Sequence, residues 1–140
     1  MSYIYLATPY SDPDPEVRFE RYMDAVRAAA FYLEHGWPVL SPIAHTHVIA
    51  ETGDLPTGYD FWRAFDEALI RGASEVWVLV HTDAAHKSEG VQEEIRIARR
   101  LGKPVRYVDP LTDPPPKATP GPLLGRRAIP GEHCSVKPRA

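Results

Sequence analysis

Cysteine is nearly absent. Cys134 is the only one in 140 residues, so no disulfide can form within the chain, and a reducing cytoplasm is the expected setting. Long apolar runs are missing too: none approaches the roughly 20 residues that span a bilayer, and the first residues lack the basic segment and apolar core of a secretion signal. No membrane partner is expected. Positive charge is in short supply. The net charge is −3, and it is unevenly spread, with residues 110–140 at +3 and the remaining body at −6. A body of that sign does not suit a phosphate backbone, so no nucleic-acid polymer is expected as a partner.

What is present is an ordinary globular composition, 44% hydrophobic and 25% charged, as for one domain. Proline marks its boundary. Eight of the fifteen prolines lie at or beyond Pro110, including Pro114-Pro115-Pro116, in a segment without apolar periodicity. Residues 1–109 are therefore the expected catalytic domain, and residues 110–140 an extended or disordered tail.

Within the body, Tyr3-Ile4-Tyr5-Leu6-Ala7 reads as a strand closed by Thr8-Pro9. From Glu16 to about Glu34, Phe19, Tyr22/Met23, Val26, Ala29/Ala30 and Leu33 recur at helical spacing, with Gly36 as the stop. Trp37–Ser41 predicts a second strand, followed by a long connection from Pro42 to about Thr57. Tyr59 to Arg71 predicts a helix with Phe61, Phe65 and Leu69 on one stripe. Glu75–Val80, Val91–Leu101 and Pro104–Val108 then predict strand, helix and strand. This alternation specifies an α/β fold, a parallel sheet flanked by helices in three α/β/α layers. Ligands in such folds bind beyond the carboxyl ends of the strands.

The most informative stretch lies at such an end. After the apolar run Val76–Val80, Ser88-Glu89-Gly90-Val91-Gln92-Glu93-Glu94 opens an amphipathic helix. The first N–H groups of a helix have no intrahelical partner and can take an anion, commonly phosphate. An anionic group held near Gly90 would put its attached sugar close to Glu94, one turn on. A capped helix with a solvated acidic face is the competing explanation.

The ordered set of Ile4-Tyr5-Leu6-Ala7 with Pro9, Asp66 on the helix ahead of the third strand, Ser88-x-Gly90-Val91-x-x-Glu94-Ile95-x-x-Ala98 and Gly102-Lys103-Pro104-Val105 resembles the nucleoside 2-deoxyribosyltransferase superfamily. Within it the chain is most similar to nucleoside 5′-monophosphate N-glycosidases and their bacterial and phage relatives. The resemblance covers the body and leaves out the tail. It implies a flavodoxin-like or Rossmann-like sheet, a homodimer or higher homo-oligomer, and no cofactor. It implies cleavage of an N-glycosidic bond by Glu94 as nucleophile, oriented by Tyr5, with Asp66 close to the leaving base. Glu93 lies about 100° away around the helix and is the weaker choice.

Ser88 separates two branches of that superfamily. Members acting on free nucleosides usually carry aspartate there, and a carboxylate would repel a dianionic phosphate. A serine hydroxyl and the Gly90 amide can donate to it instead. The expected substrate is thus a small-molecule nucleotide, a (deoxy)nucleoside 5′-monophosphate. The usual aspartate opening the third strand is replaced by Ser74-Glu75, and the 42–57 segment gives no reading of base selectivity.

Around the reacting groups, Thr8, Pro9 and Tyr10 at the first strand end, together with His45 and Trp62, are the expected substrate-binding residues, Tyr10 or Trp62 as a stacking surface. Arg21 is a candidate for the sugar or phosphate, or forms an exposed ion pair. His45-Thr46-His47, read as strand-like, could present two metal ligands on one face, with His81 and His86 as possible additions, but no third ligand stands at a convincing spacing, and no metal is expected. Three alternatives stay open: a deoxyribosyltransferase acting on free nucleosides, a non-catalytic nucleotide sensor, and a cytokinin-type phosphoribohydrolase. The last would need a Pro-Gly-Gly-x-Gly-Thr loop that this chain does not have.

Overall fold

A computed structural model of the protein describes residues 2–81 and 84–112. The expected tail falls almost wholly on residues 113–140, outside the described residues.

Four short strands form one all-parallel sheet: β1 (Ile4–Ala7), β2 (Val39–Leu40), β3 (Glu75–Leu79) and β4 (Val105–Val108), in the order β2-β1-β3-β4. β1 pairs with β3 from Ile4↔Glu75 to Ala7↔Val78. The chain leaves β1 toward one edge and returns for β3 on the other side, so the topological switch point lies between β1 and β3.

Strand side chains alternate between two cores, which is why β1 and Val76–Leu79 of β3 are continuously apolar, whereas β4 at the sheet edge exposes Arg106 and Tyr107. Ile4, Leu6, Trp77 and Leu79 pack under helix α1 (Pro15–Glu34) with Ala28 and Tyr32. Tyr5, Ala7, Val76 and Val78 face helices α3 (Tyr59–Gly72) and α5 (Glu89–Arg100), meeting Ile70, Val91, Ile95 and Ala98. The expected three-layer α/β/α architecture is present.

Local chemistry sets the helix ends. Asp14 caps α1, its carboxylate accepting from Glu16 N at 2.9 Å, with Pro15 in the first turn where no N–H is needed. Gly36, at φ 87°, turns the chain out of α1. Ser88 caps α5, its Oγ accepting from Val91 N at 3.2 Å.

Three sequence expectations are corrected. The segment after β2 is not a connection: Pro42–Gly53 forms helix α2, capped by Ser41, whose Oγ accepts from Ala44 N at 3.2 Å. Ser followed by Pro is a helix start, and it cuts β2 short at Leu40. The buried face of α1 is Ala25, Ala28 and Tyr32, one residue off the expected stripe, leaving Phe19 and Leu33 each 50% exposed. On α3 the buried residues are Asp66 and Ile70 rather than Phe61, which is exposed. A four-residue helix α4 (Ala84–Lys87) precedes α5. Among the described residues, no helix is long and apolar enough to cross a membrane.

Candidate active site

A cleft of about 650 Å³ opens at the switch point, beyond the carboxyl ends of β1 and β3. Its floor is Glu94, which α5 presents toward β1. Tyr5, fully buried in β1, donates its hydroxyl hydrogen to Glu94 Oε1 at 2.7 Å. Glu94 Oε2 is buried without a hydrogen-bond partner. A carboxylate oxygen left dry and unpaired is costly, and native structures keep such atoms mainly where a ligand or reaction uses them.

Asp66 completes the centre. It is 8% exposed on the buried face of α3 and lines the same cleft. Burial pushes its carboxyl up to about 7, an interaction with Tyr5 pulling the other way. Burial also pushes Glu94 well above the usual carboxylate range, with the neighbouring Asp66 charge adding and the Tyr5 hydrogen bond opposing. Two buried carboxyls resist being ionised together, the charge of one raising the pKa of the other. Glu93, by contrast, is held by Arg63 at 3.3 Å and Arg96 at 2.6 Å on the outer side of the helix. It is structurally committed; Glu94 is not.

The start of α5 forms one end of the cleft through Ser88 and Gly90. Because Ser88 Oγ accepts from the helix, its own hydrogen stays available to a ligand. Thr8 lines the cleft with its Oγ1 buried and unpartnered. Tyr10 also lines it, but its hydroxyl is taken by His47 Nδ1 at 2.6 Å, so it offers a ring. Trp62 donates Nε1–H to Pro56 O at 2.8 Å, which pins a flat indole at the cleft edge. Arg21 lines the cleft as well; it donates to Ser11 O at 2.7 Å and sits 3.8 Å from Asp12.

Two expected binding residues stand elsewhere. Pro9 lines a smaller adjoining cavity of about 210 Å³. His45 is exposed and stacks on Phe65, with ring centroids 6.1 Å apart. The strand-like His-x-His reading is corrected by helix α2, in which residues two apart point in different directions. His47 stacks on Tyr22 at 4.2 Å, His81 approaches Asp24 at 3.7 Å, and His86 is exposed on α4. Among the described residues, no three His, Cys, Asp or Glu side chains are gathered to hold a metal.

Sequence reading missed Ile43, Thr46 and Ala50, the α2 face that walls the cleft, and Tyr59 at the start of α3. The first three recur at i, i+3 and i+7, and Ser41-Pro42 was the signal for their helix. Tyr59 carries no motif.

Comparison with known families now bears on the whole body. Residues 2–109 match the model of a family described as a domain of unknown function, DUF1937, and the chain belongs to that family. No curated protein matches the chain.

Proposed function

We propose that this protein hydrolyses the N-glycosidic bond of a (deoxy)nucleoside 5′-monophosphate, releasing free base and (deoxy)ribose 5-phosphate. The observation that carries the reading is the buried Tyr5–Glu94 pair at 2.7 Å, with Oε2 of Glu94 unpartnered and Asp66 beside it. The resemblance to the nucleoside 2-deoxyribosyltransferase superfamily, carried by these same residues, agrees with it, and pairing of two copies belongs to the same proposal.

The chemistry is a double displacement at C1′ through oxocarbenium-like transition states. Glu94 Oε2 forms a bond to C1′ as the C1′–N bond breaks, its electron pair leaving with the base. Asp66 delivers its proton to that base, directly or through water. Tyr5 fixes the Glu94 rotamer and stabilises its anion. Asp66, now a carboxylate, takes a proton from a water molecule that attacks C1′ and frees Glu94. Ser88 and the first amides of α5 hold the phosphate, and Trp62 or Tyr10 offers a face for the base.

Tyr5→Phe keeps the buried ring and strips Glu94 Oε1 of its donor. A hydrogen bond to a charged group is worth about 1.5–3 kcal/mol, so base release should fall roughly 10- to 100-fold. The acid limb of the rate profile should also move to higher pH. An unchanged profile would show that Tyr5 does not support the Glu94 anion.

Ser88→Asp tests the phosphate. Aspartate caps a helix as well as serine does, so the melting temperature should hold. Cleavage of monophosphates should drop by roughly 100-fold from like-charge repulsion while free nucleosides are spared. Chromatography of a panel of ribo- and deoxyribonucleoside 5′-monophosphates, with the free nucleosides alongside, reads both this variant and the wild type. Release from monophosphates supports the hydrolase and names the base. Release from nucleosides only, dependent on an added acceptor base, would make the protein a transferase. Intact nucleotides bound tightly would make it a sensor.

A further inference from the structure

Tyr10 reaches the cleft from the loop that follows β1, and two residues hold it there. Arg21 of α1 fixes the backbone, donating to Ser11 O at 2.7 Å and to Tyr10 O at 3.4 Å. His47 of α2 fixes the other end, its Nδ1 standing 2.6 Å from the Tyr10 hydroxyl. His47 does not line the cleft, so any effect it has on a ligand passes through Tyr10. We propose that His47 is a positioning residue: it holds the Tyr10 ring ready as a face for the nucleobase, and so sets affinity for the base end of the substrate but not for the sugar phosphate. This rests on the N-glycosidase reading above and adds to it a residue outside the cleft.

Helix geometry puts His47 in that place. Ile43, Thr46 and Ala50 turn one face of α2 to the cleft, and the residue after Thr46 lies about 100° further round. There the buried His47 ring packs on α1. It stacks on Tyr22 at 4.2 Å with 19° between the planes, and Phe19 tilts against it at 6.3 Å. Tyr10 meets it edge-on, with centroids 5.6 Å apart and the planes at 84°. One imidazole therefore ties three segments together: α2 through the chain, α1 by stacking and the loop after β1 by a hydrogen bond.

The hydrogen bond runs from phenol to imidazole. Burial raises the Tyr10 phenol above its ordinary value, so the hydroxyl keeps its hydrogen. Arg18 also interacts with that hydroxyl and can only donate, which leaves the phenol hydrogen for His47 Nδ1. A phenylalanine at position 10 would offer a base the same flat surface and would not be held. A ring fixed in advance has already given up its rotamer freedom, so a base that stacks on it does not bear that cost.

His47→Phe keeps a ring on Tyr22 and removes the acceptor, and Tyr10→Phe cuts the same bond from the other side. Base release from the common ribo- and deoxyribonucleoside 5′-monophosphates gives KM and kcat, and calorimetry gives the Kd of ribose 5-phosphate, which carries no base. In either variant KM should rise roughly three- to tenfold, with kcat within about twofold, as when binding shared by ground and transition states is lost. Ribose 5-phosphate should bind as before. The double variant should add nothing to either single one, because both break one link. His47→Asn, whose amide can stand where Nδ1 does, should keep the wild-type KM. An unchanged KM in His47→Phe, with base released normally, would overturn the proposal and leave the glycosidase standing. Equal weakening of ribose 5-phosphate would overturn it in favour of general support of the cleft. A harmless Tyr10→Phe beside a harmful His47→Phe would overturn it by removing Tyr10 as the link. A wild type that releases no base from any of these nucleotides would overturn the glycosidase reading and this proposal with it.

Discussion

Glu94→Gln should release no measurable base from any nucleoside 5′-monophosphate, a loss of roughly 10⁴-fold or more, the scale seen when an enzyme loses its nucleophile. The amide is nearly isosteric and its oxygen can still accept from Tyr5, so the cleft should keep its shape. Nucleotide binding measured by calorimetry should survive within a fewfold. Stability should hold or rise, since the variant no longer buries a carboxyl whose charged form is desolvated and faces Asp66. Full activity in this variant would remove Glu94 from the chemistry. Lost activity together with lost binding and a lowered melting temperature would point to a structural carboxyl instead.

Asp66→Asn has the second-largest expected effect. Removing a general acid costs about 10²- to 10⁴-fold. The loss should be selective: nucleotides whose base departs without protonation should still form the glycosyl-enzyme, while those needing a proton should not. In the wild type, kcat/KM should fall as pH rises through about 7, where Asp66 gives up its proton. Stability follows the same group. The folded protein holds this proton up to about pH 7, whereas the unfolded chain loses it near 4. Between these values the native state binds more protons, and stability declines with rising pH, by at most about 1.4 kcal/mol per unit. Asp66→Asn should flatten that slope, and the part that remains belongs to Glu94, which is shifted in the same direction. Thermal melts of both proteins across pH 4 to 8 read this directly. A stability that rises through the interval would contradict the assigned burial.

Chemistry-bearing residues were the legible part of this sequence. Tyr5, Asp66 and Glu94 were named through the family resemblance, and Ser88 as the cap of the helix that carries Glu94; Asp66, Ser88 and Glu94 line one cleft, and Tyr5 meets it through its hydrogen bond to Glu94. The central strands β1 and β3 were readable because a parallel sheet covered on both faces demands nearly unbroken apolar runs. Helix faces were not. α1 carries Ala25, Val26, Ala28, Ala29, Ala30 and Phe31 almost all round, so periodicity could not choose between adjacent stripes, and close approach to the sheet selected the small side chains at 25 and 28. α2 was read as a connection because histidine, threonine and glycine outweighed the Ser41-Pro42 start signal. With it went Ile43 and Thr46, which wall the cleft, and the outward position of His45. Tyr59 was invisible for a different reason. Its place in the cleft comes from its ring packing beside Gly90, a property of two helices meeting that no local pattern encodes.

The most direct test of a glutamate nucleophile uses Asp66→Asn with a nucleoside 5′-monophosphate whose base leaves without protonation. The first displacement should proceed and the second stall, because the base that activates water is gone. Peptide mass mapping after acid quench should then find a (deoxy)ribose 5-phosphate ester on the peptide carrying Glu94. Base release with no adduct, or an adduct on another residue, would contradict the account.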